Sequence, residues 1–222
     1  MELNLSKRNL IVSLPENTLE YALEAEKMGA DAVKLHINVK HRVTKKIHDS
    51  WNSIKNETQR IINTLNIPVG IVPGAELMCS KQDIKEFEDF KLDFLDCYIE
   101  YYPIWMNNTK LKKMFAINYD DDLELIKEIE HFNPDIIEAS IINPSEYGKN
   151  YTIKDILKFK KIISNTKLPV YIPSQKIMEY DDLKEFIKIG AKGFIIGPIV
   201  TTTEIKTFSK KIFEIKNCIE KL

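Results

Sequence analysis

A chain of 222 residues suits one large domain or two small ones, and no shift in composition marks a boundary. Its 44% hydrophobic and 29% charged residues describe a globule with a substantial core, and a net charge of −1 supplies no overall field for nucleic acid or an anionic membrane. No apolar run approaches the roughly 20 residues of a membrane span, residues 1–9 lack the apolar centre of a secretory signal, and the scattered Cys79, Cys97 and Cys218 form no CxxC pair, so a cytoplasmic protein is expected.

Short β-branched runs alternate with longer amphipathic ones along the whole chain. The first strand is NLIVSL (9–14), followed by a helix with Asn17 as its cap. DAVKLHI (31–37) is the second strand, and a basic loop leads to a helix around 50–65. IPVGIVPG (67–74) is the third, and Ser80 with Asp83 resembles a capping box for the helix through Phe90. FLDCYIEY (94–101) is the fourth, and its connection YPIWMNNTKLKK is too irregular for more than a short helical turn. MFAINY (114–119) precedes the acidic first turn of a helix, Asp120 to Asp122. DIIEASII (135–142) precedes a helix opened by Thr152 and Asp155. LPVYIPS (168–174), a helix to Gly190, GFIIGPIV (193–200) and a last helix complete eight β/α units. Eight units in this length predict a single (β/α)8 barrel domain. The competing architecture is a doubly wound open sheet, but no strand runs into a GxGxxG turn and several carry polar residues on one alternating face.

That alternation locates the candidate chemistry. In strand two, Val33, Leu35 and Ile37 share one face and Lys34, His36 and Asn38 the other. Strand four sets Asp96, Tyr98 and Glu100 opposite Leu95, Cys97 and Ile99; strand six sets Glu138 and Ser140 opposite Ile137, Ala139 and Ile141; strand five adds Asn118. Apolar faces meet the helices, so the polar ones look inward. Barrel layers draw on alternate strands, so Lys34, Glu100 and Glu138 are expected to meet around the axis, with Asp96 filling a structural place deeper down. An isolated charge there would be very costly. A lysine and two carboxylates at the C-terminal strand ends suit proton transfer beside a carbonyl, with His36 orienting or relaying a proton.

The loop after strand two carries His41, His48, Lys40, Arg42, Lys45 and Lys46 and would concentrate anions at the mouth, with Arg42 as a bidentate contact. Its histidines match no compact zinc spacing, and no metal site is expected. Trp105 and Met106 suit a lid, a contact with a second subunit in a homo-oligomer, or a satellite of the core.

Two stretches, MGADAVKLHI and LPVYIPSQKIMEYDDLKEFIKIGAKGFIIGPIVT, resemble the ribulose-phosphate-binding barrel superfamily. The resemblance implies a phosphate site lined by Ser174, Gln175, Gly197 and Thr201 in the loops after strands seven and eight. The paired glycines of that group are replaced here by Ser174-Gln175-Lys176, which crowds the backbone approach, while Lys176 offers a direct cation. The leading expectation is an isomerase, epimerase or lyase that acts on a small phosphorylated or carboxylated metabolite without a cofactor. Lys34, Glu138, Glu100 and His36 carry the chemistry, and Arg42, Asn118, Ser140 and the last two loops carry binding. The competing readings are a non-catalytic ligand-binding or regulatory barrel and a flavin oxidoreductase.

Overall fold

The computed structural model describes residues 2–40, 45, 47–122 and 124–222. Eight parallel strands close into a barrel in chain order: β1 (Asn9–Ser13), β2 (Ala32–His36), β3 (Val69–Val72), β4 (Phe94–Tyr98), β5 (Lys112–Ile117), β6 (Ile136–Ala139), β7 (Val170–Pro173) and β8 (Gly193–Ile196). The fold is a single (β/α)8 barrel, with β1 sealing the sheet against β8 from Asn9↔Gly193 to Val12↔Ile196.

Helices α1 (Leu19–Lys27), α2 (Trp51–Thr64), α3 (Lys81–Asp89), α4 (Leu125–Ile129), α5 (Ile153–Ser164), α6 (Tyr180–Lys188), α7 (Pro198–Thr201) and α8 (Ile205–Lys221) follow the strands. No described helix is long and apolar enough to cross a membrane. Between β4 and β5 the chain makes one 3-10 turn, Ile104–Asn108. Ser80 and Asp83 close a capping box at α3, and Thr152 and Asp155 close one at α5. The cap of α1 is Thr18, whose hydroxyl accepts from Tyr21 N, rather than Asn17. The Asn17 amide instead grips the backbone of His36, donating to its carbonyl at 2.6 Å and accepting from its N–H at 3.0 Å. β1 pairing stops at Ser13↔Lys34, so no strand reaches those groups on that side, and the Asn17 amide satisfies both.

Two apolar layers hold the barrel. Outward residues such as Val33, Leu35, Ile137 and Ala139 pack against the helices. Inward residues Ile11, Ala32, Phe94, Met114, Ile136 and Tyr171 fill the N-terminal half, with Ile195 packed above them and Leu3 plugging from below. The Phe94 ring lies across Gly70, where a Cβ would meet it at 2.2 Å. Phe94 is fully buried and has no room to yield. Gly70→Ala is therefore expected to cost about 1–3 kcal/mol from overpacking, which a urea titration against the parent protein reads directly.

Candidate active site

The strand register decides what lies above that plug. Lys34 pairs with Gly70, and Gly70 with Phe94. Because barrel strands tilt, the residue level with Lys34 on β4 is two positions beyond Phe94, namely Asp96. The same step carries Asp96 through Met114 and Ile136 to Glu138, and Glu138 through Tyr171 and Gly193 to Ile195. One layer thus holds Lys34, Asp96, Glu138 and Ile195 from the four even strands, as layered packing requires.

The three ionisable groups touch. Lys34 Nζ donates to Asp96 Oδ2 and, at 3.0 Å, to Glu138 Oε2. The Ser140 hydroxyl donates to Glu138 Oε1 at 2.5 Å. All four residues are buried. Strand four therefore supplies Asp96 to Lys34, in place of the expected Glu100. Glu100 lies past the end of β4 in a turn, exposed, and accepts from Asn118 Nδ2 at 3.2 Å.

Burial works against the Lys34 ammonium, but the charges of Asp96 and Glu138 outweigh it and hold the amine above the ordinary lysine range. Burial and then the charge of Glu138 push the Asp96 carboxyl well up. Glu138 also suffers burial, but the charge of Lys34 and hydrogen bonds from Asp96, Ser140 and Lys34 carry it down. Of the two acids, Asp96 holds its proton more firmly than a free carboxyl and Glu138 less firmly. Asp96 Oδ1 is buried without a hydrogen-bond partner, a cost that a neutral carboxyl bears more easily than a charged one.

This assignment has a sign. An acid whose folded pKa is raised contributes stability that is full below its unfolded pKa and is lost as pH rises. Asp96→Asn removes that loss while keeping an oxygen for Lys34. It is expected to stabilise the fold by about 1–3 kcal/mol at pH 7.5, with the gain shrinking toward pH 4, as urea denaturation at the two pH values would show.

Lys34 and Glu138 form the floor of a pocket of 540 Å³ at the C-terminal mouth. Ser13 and Ser140 share the floor, and Tyr98, Tyr101, Tyr147, Ile195 and Ile199 rise around it. Lys40 and Lys45, exposed on the β2 loop, also line the pocket, as does Glu76. His36 stands behind the wall, its Nε2 3.2 Å from Ser13 Oγ and its ring 5.1 Å from that of His48. Asn118 and Glu100 line an adjoining recess of 760 Å³ that shares Tyr101, Tyr147 and Lys45 with the pocket above Lys34. Arg42 and His41 fall outside the described residues. Among the described residues no three histidine, cysteine or acidic side chains converge as a metal site. Met106 is buried and Trp105 packs against the helix-facing core, so this loop is a core satellite rather than a lid.

The residues expected to hold phosphate divide. Ser174, Gln175 and Gly197 line the pocket. Lys176 turns away, buried, with its Nζ 2.7 Å from Asp155 Oδ2, the helix-capping carboxylate of α5. Thr201 is fully buried and donates to Thr202 O at 3.3 Å. Neither faces the pocket, because α7 and the start of α5 draw both side chains into the wall. Ser13 is the floor residue that sequence reasoning overlooked, although NLIVSL alternates like the other strands and sets Asn9, Ile11 and Ser13 on one face.

An eight-stranded parallel barrel with an ionisable layer at its C-terminal mouth is the class that the geometry defines. Solved structures with this fold include thiamine phosphate pyrophosphorylase from Pyrococcus furiosus (16% identity, TM-score 0.66, 96% of each chain). Phosphoribosyl anthranilate isomerase from Thermus thermophilus is also similar (13% identity, TM-score 0.69, 96% of this chain and 98% of that one). So is the N-acetylmannosamine-6-phosphate 2-epimerase from Clostridium perfringens (17% identity, TM-score 0.62, 96% of this chain and 95% of that one). These neighbours are ribulose-phosphate-binding barrels, the group that the two sequence stretches resemble. At such identities the likeness is one of fold. No family model matches the chain, and no curated protein matches it in sequence.

Proposed function

We propose that this chain is a cytoplasmic enzyme that moves a proton next to the carbonyl group of a small anionic metabolite, as an isomerase, epimerase or lyase. The observation that carries the reading is the Lys34 ammonium hydrogen-bonded to both Asp96 and Glu138, with Lys34 and Glu138 on the pocket floor. Paired titratable groups whose surroundings drive their pKa values apart are the usual mark of divided acid and base roles.

In this reading Lys34 donates to the substrate carbonyl and stabilises the enolate oxygen that forms as the proton leaves. The two acids raise its pKa, which disfavours Schiff-base formation by Lys34, since that chemistry needs a free amine. Glu138 takes the proton and returns it, with Ser140 fixing its carboxylate. Asp96 does not line the pocket and acts through Lys34, as the acid that holds its proton more firmly. Ser13, held by His36, orients the bound carbonyl compound. Lys40 and Lys45 draw the anionic end to the rim. The free thiols of Cys79, Cys97 and Cys218 suit a reducing compartment. The reaction needs no cofactor in this account.

The reading is tested without knowing the product. In D2O the enzyme should exchange the proton on the carbon beside the carbonyl of its substrate, followed by ¹H NMR over a panel of small oxo and hydroxy-oxo compounds. Exchange at the wild-type rate in Lys34→Met would overturn the assignment.

A further inference from the structure

The loops after β7 and β8 are where barrels of this class often place a phosphate, cradled by backbone N–H groups. In this chain several of those donors are already occupied. Gly197 N donates to Ser174 Oγ at 2.9 Å. Ser174 N donates to Ile195 O at 2.8 Å, Gln175 N to Pro173 O at 2.9 Å and Ile177 N to Lys149 O at 3.0 Å. Pro198, the first residue of α7, has no N–H to offer, and α7 is a single four-residue turn.

The side chains are committed in the same way. Gln175 accepts from Ile142 N at 3.0 Å and donates to the Tyr147 hydroxyl at 2.8 Å. Lys176 is buried against Asp155. A phosphate dianion entering this corner would have to break the Ser174–Gly197 bond and would find no freed cation on these loops. Among the described residues, the lysines that line the pocket are Lys34 on the floor and Lys40 and Lys45 on the β2 loop.

We infer that the Ser174 hydroxyl closes the β7–β8 corner to phosphate, and that the pocket takes an unphosphorylated carbonyl compound whose carboxylate lies toward Lys40 and Lys45. The carbonyl half of this statement rests on the proton-transfer reading, whereas the closed corner does not. Ser174 is thus a specificity residue: its hydroxyl occupies the N–H of Gly197, the pocket-lining residue at the end of β8.

The test uses ¹⁵N-glycine labelling of the full chain, which gives one amide signal for each of seven glycines. Inorganic phosphate in the millimolar range is expected to leave the Gly197 signal in place in the wild-type protein. In Ser174→Ala, with the acceptor gone, the signal should move saturably, with about a tenfold gain in phosphate affinity, the worth of one hydrogen bond to a charged group. Ser174→Thr, which keeps a hydroxyl, should behave as wild type, and Ser174→Gly serves if the alanine variant folds poorly. Saturable movement of Gly197 in the wild-type protein, or no change on removal of the hydroxyl, overturns the closed corner. In the exchange assay, matched substrate pairs should react faster without the phosphoryl group, and the reverse order overturns the substrate class. Failure of every compound to exchange would count against the proton-transfer reading and the substrate class resting on it, and the phosphate titration would still decide the corner.

Discussion

Lys34→Met is expected to lower the unfolding free energy by about 3–5 kcal/mol at neutral pH, because it leaves two carboxyl groups buried without their cation. For a domain of this length the midpoint of a thermal melt should fall by roughly 10 °C. The deficit has a pH signature. In the wild-type protein Glu138 is depressed, so its contribution is present above the ordinary carboxylate range and is lost only as pH falls toward about 2. With the ammonium gone, burial and mutual repulsion raise both Asp96 and Glu138, and acids raised in the folded state stabilise at low pH and cease to do so as pH climbs. The melting difference between wild type and variant should therefore widen from pH 4 to pH 8. Adding Asp96→Asn and Glu138→Gln to Lys34→Met removes the stranded charges. That triple variant should regain most of the lost stability while showing no proton exchange, which separates the structural role of the cluster from its chemistry.

Glu138→Gln should have the opposite profile, with little change in the fold and a large change in rate. Without the neighbouring charge, Asp96 loses one of the two influences that hold it neutral. It can then ionise and become the counter-ion of Lys34, to which it is already hydrogen-bonded. Stability should stay within about 1 kcal/mol of wild type by chemical denaturation, since the variant still buries one paired ammonium. The exchange rate should drop by about 10²–10⁴-fold, the usual contribution of a positioned general base. A variant that unfolds, or one that exchanges as fast as the parent, would show that Glu138 is a structural ion rather than the base.

Much of this architecture is legible in the chain because β-strands have a period of two. Lys34 and Glu138 stand opposite apolar neighbours in runs that must be buried on both sides, and that alone sends them inward. The identity of the third partner is not legible in the same way. Asp96, Tyr98 and Glu100 share one face of strand four, and choosing among them needs the tilt between strands, which no single strand encodes. Glu100 looks favourable because it lies at the end of its run, yet β4 stops at Tyr98.

The phosphate corner was hidden for a related reason. Ser174, Gln175 and Lys176 read as available polar groups, but their partners lie elsewhere in the chain, at Gly197, Ile142 and Asp155. Asn17 offers the same lesson in miniature. Its residue type suits a helix cap, and the β1-facing backbone of His36, beyond the last β1–β2 pair, claims it first. Ser13, by contrast, was within reach of the alternation rule.

The chemistry proposed for the floor stands on its charge state, and ¹³C labelling of aspartate and glutamate carboxyl carbons reads that state directly. With Asp96→Asn and Glu138→Gln used to assign the signals, the account predicts a Glu138 resonance still ionised at pH 4 and an Asp96 resonance that titrates well above the ordinary aspartate range. Two carboxyl groups that both titrate near their ordinary values would contradict it.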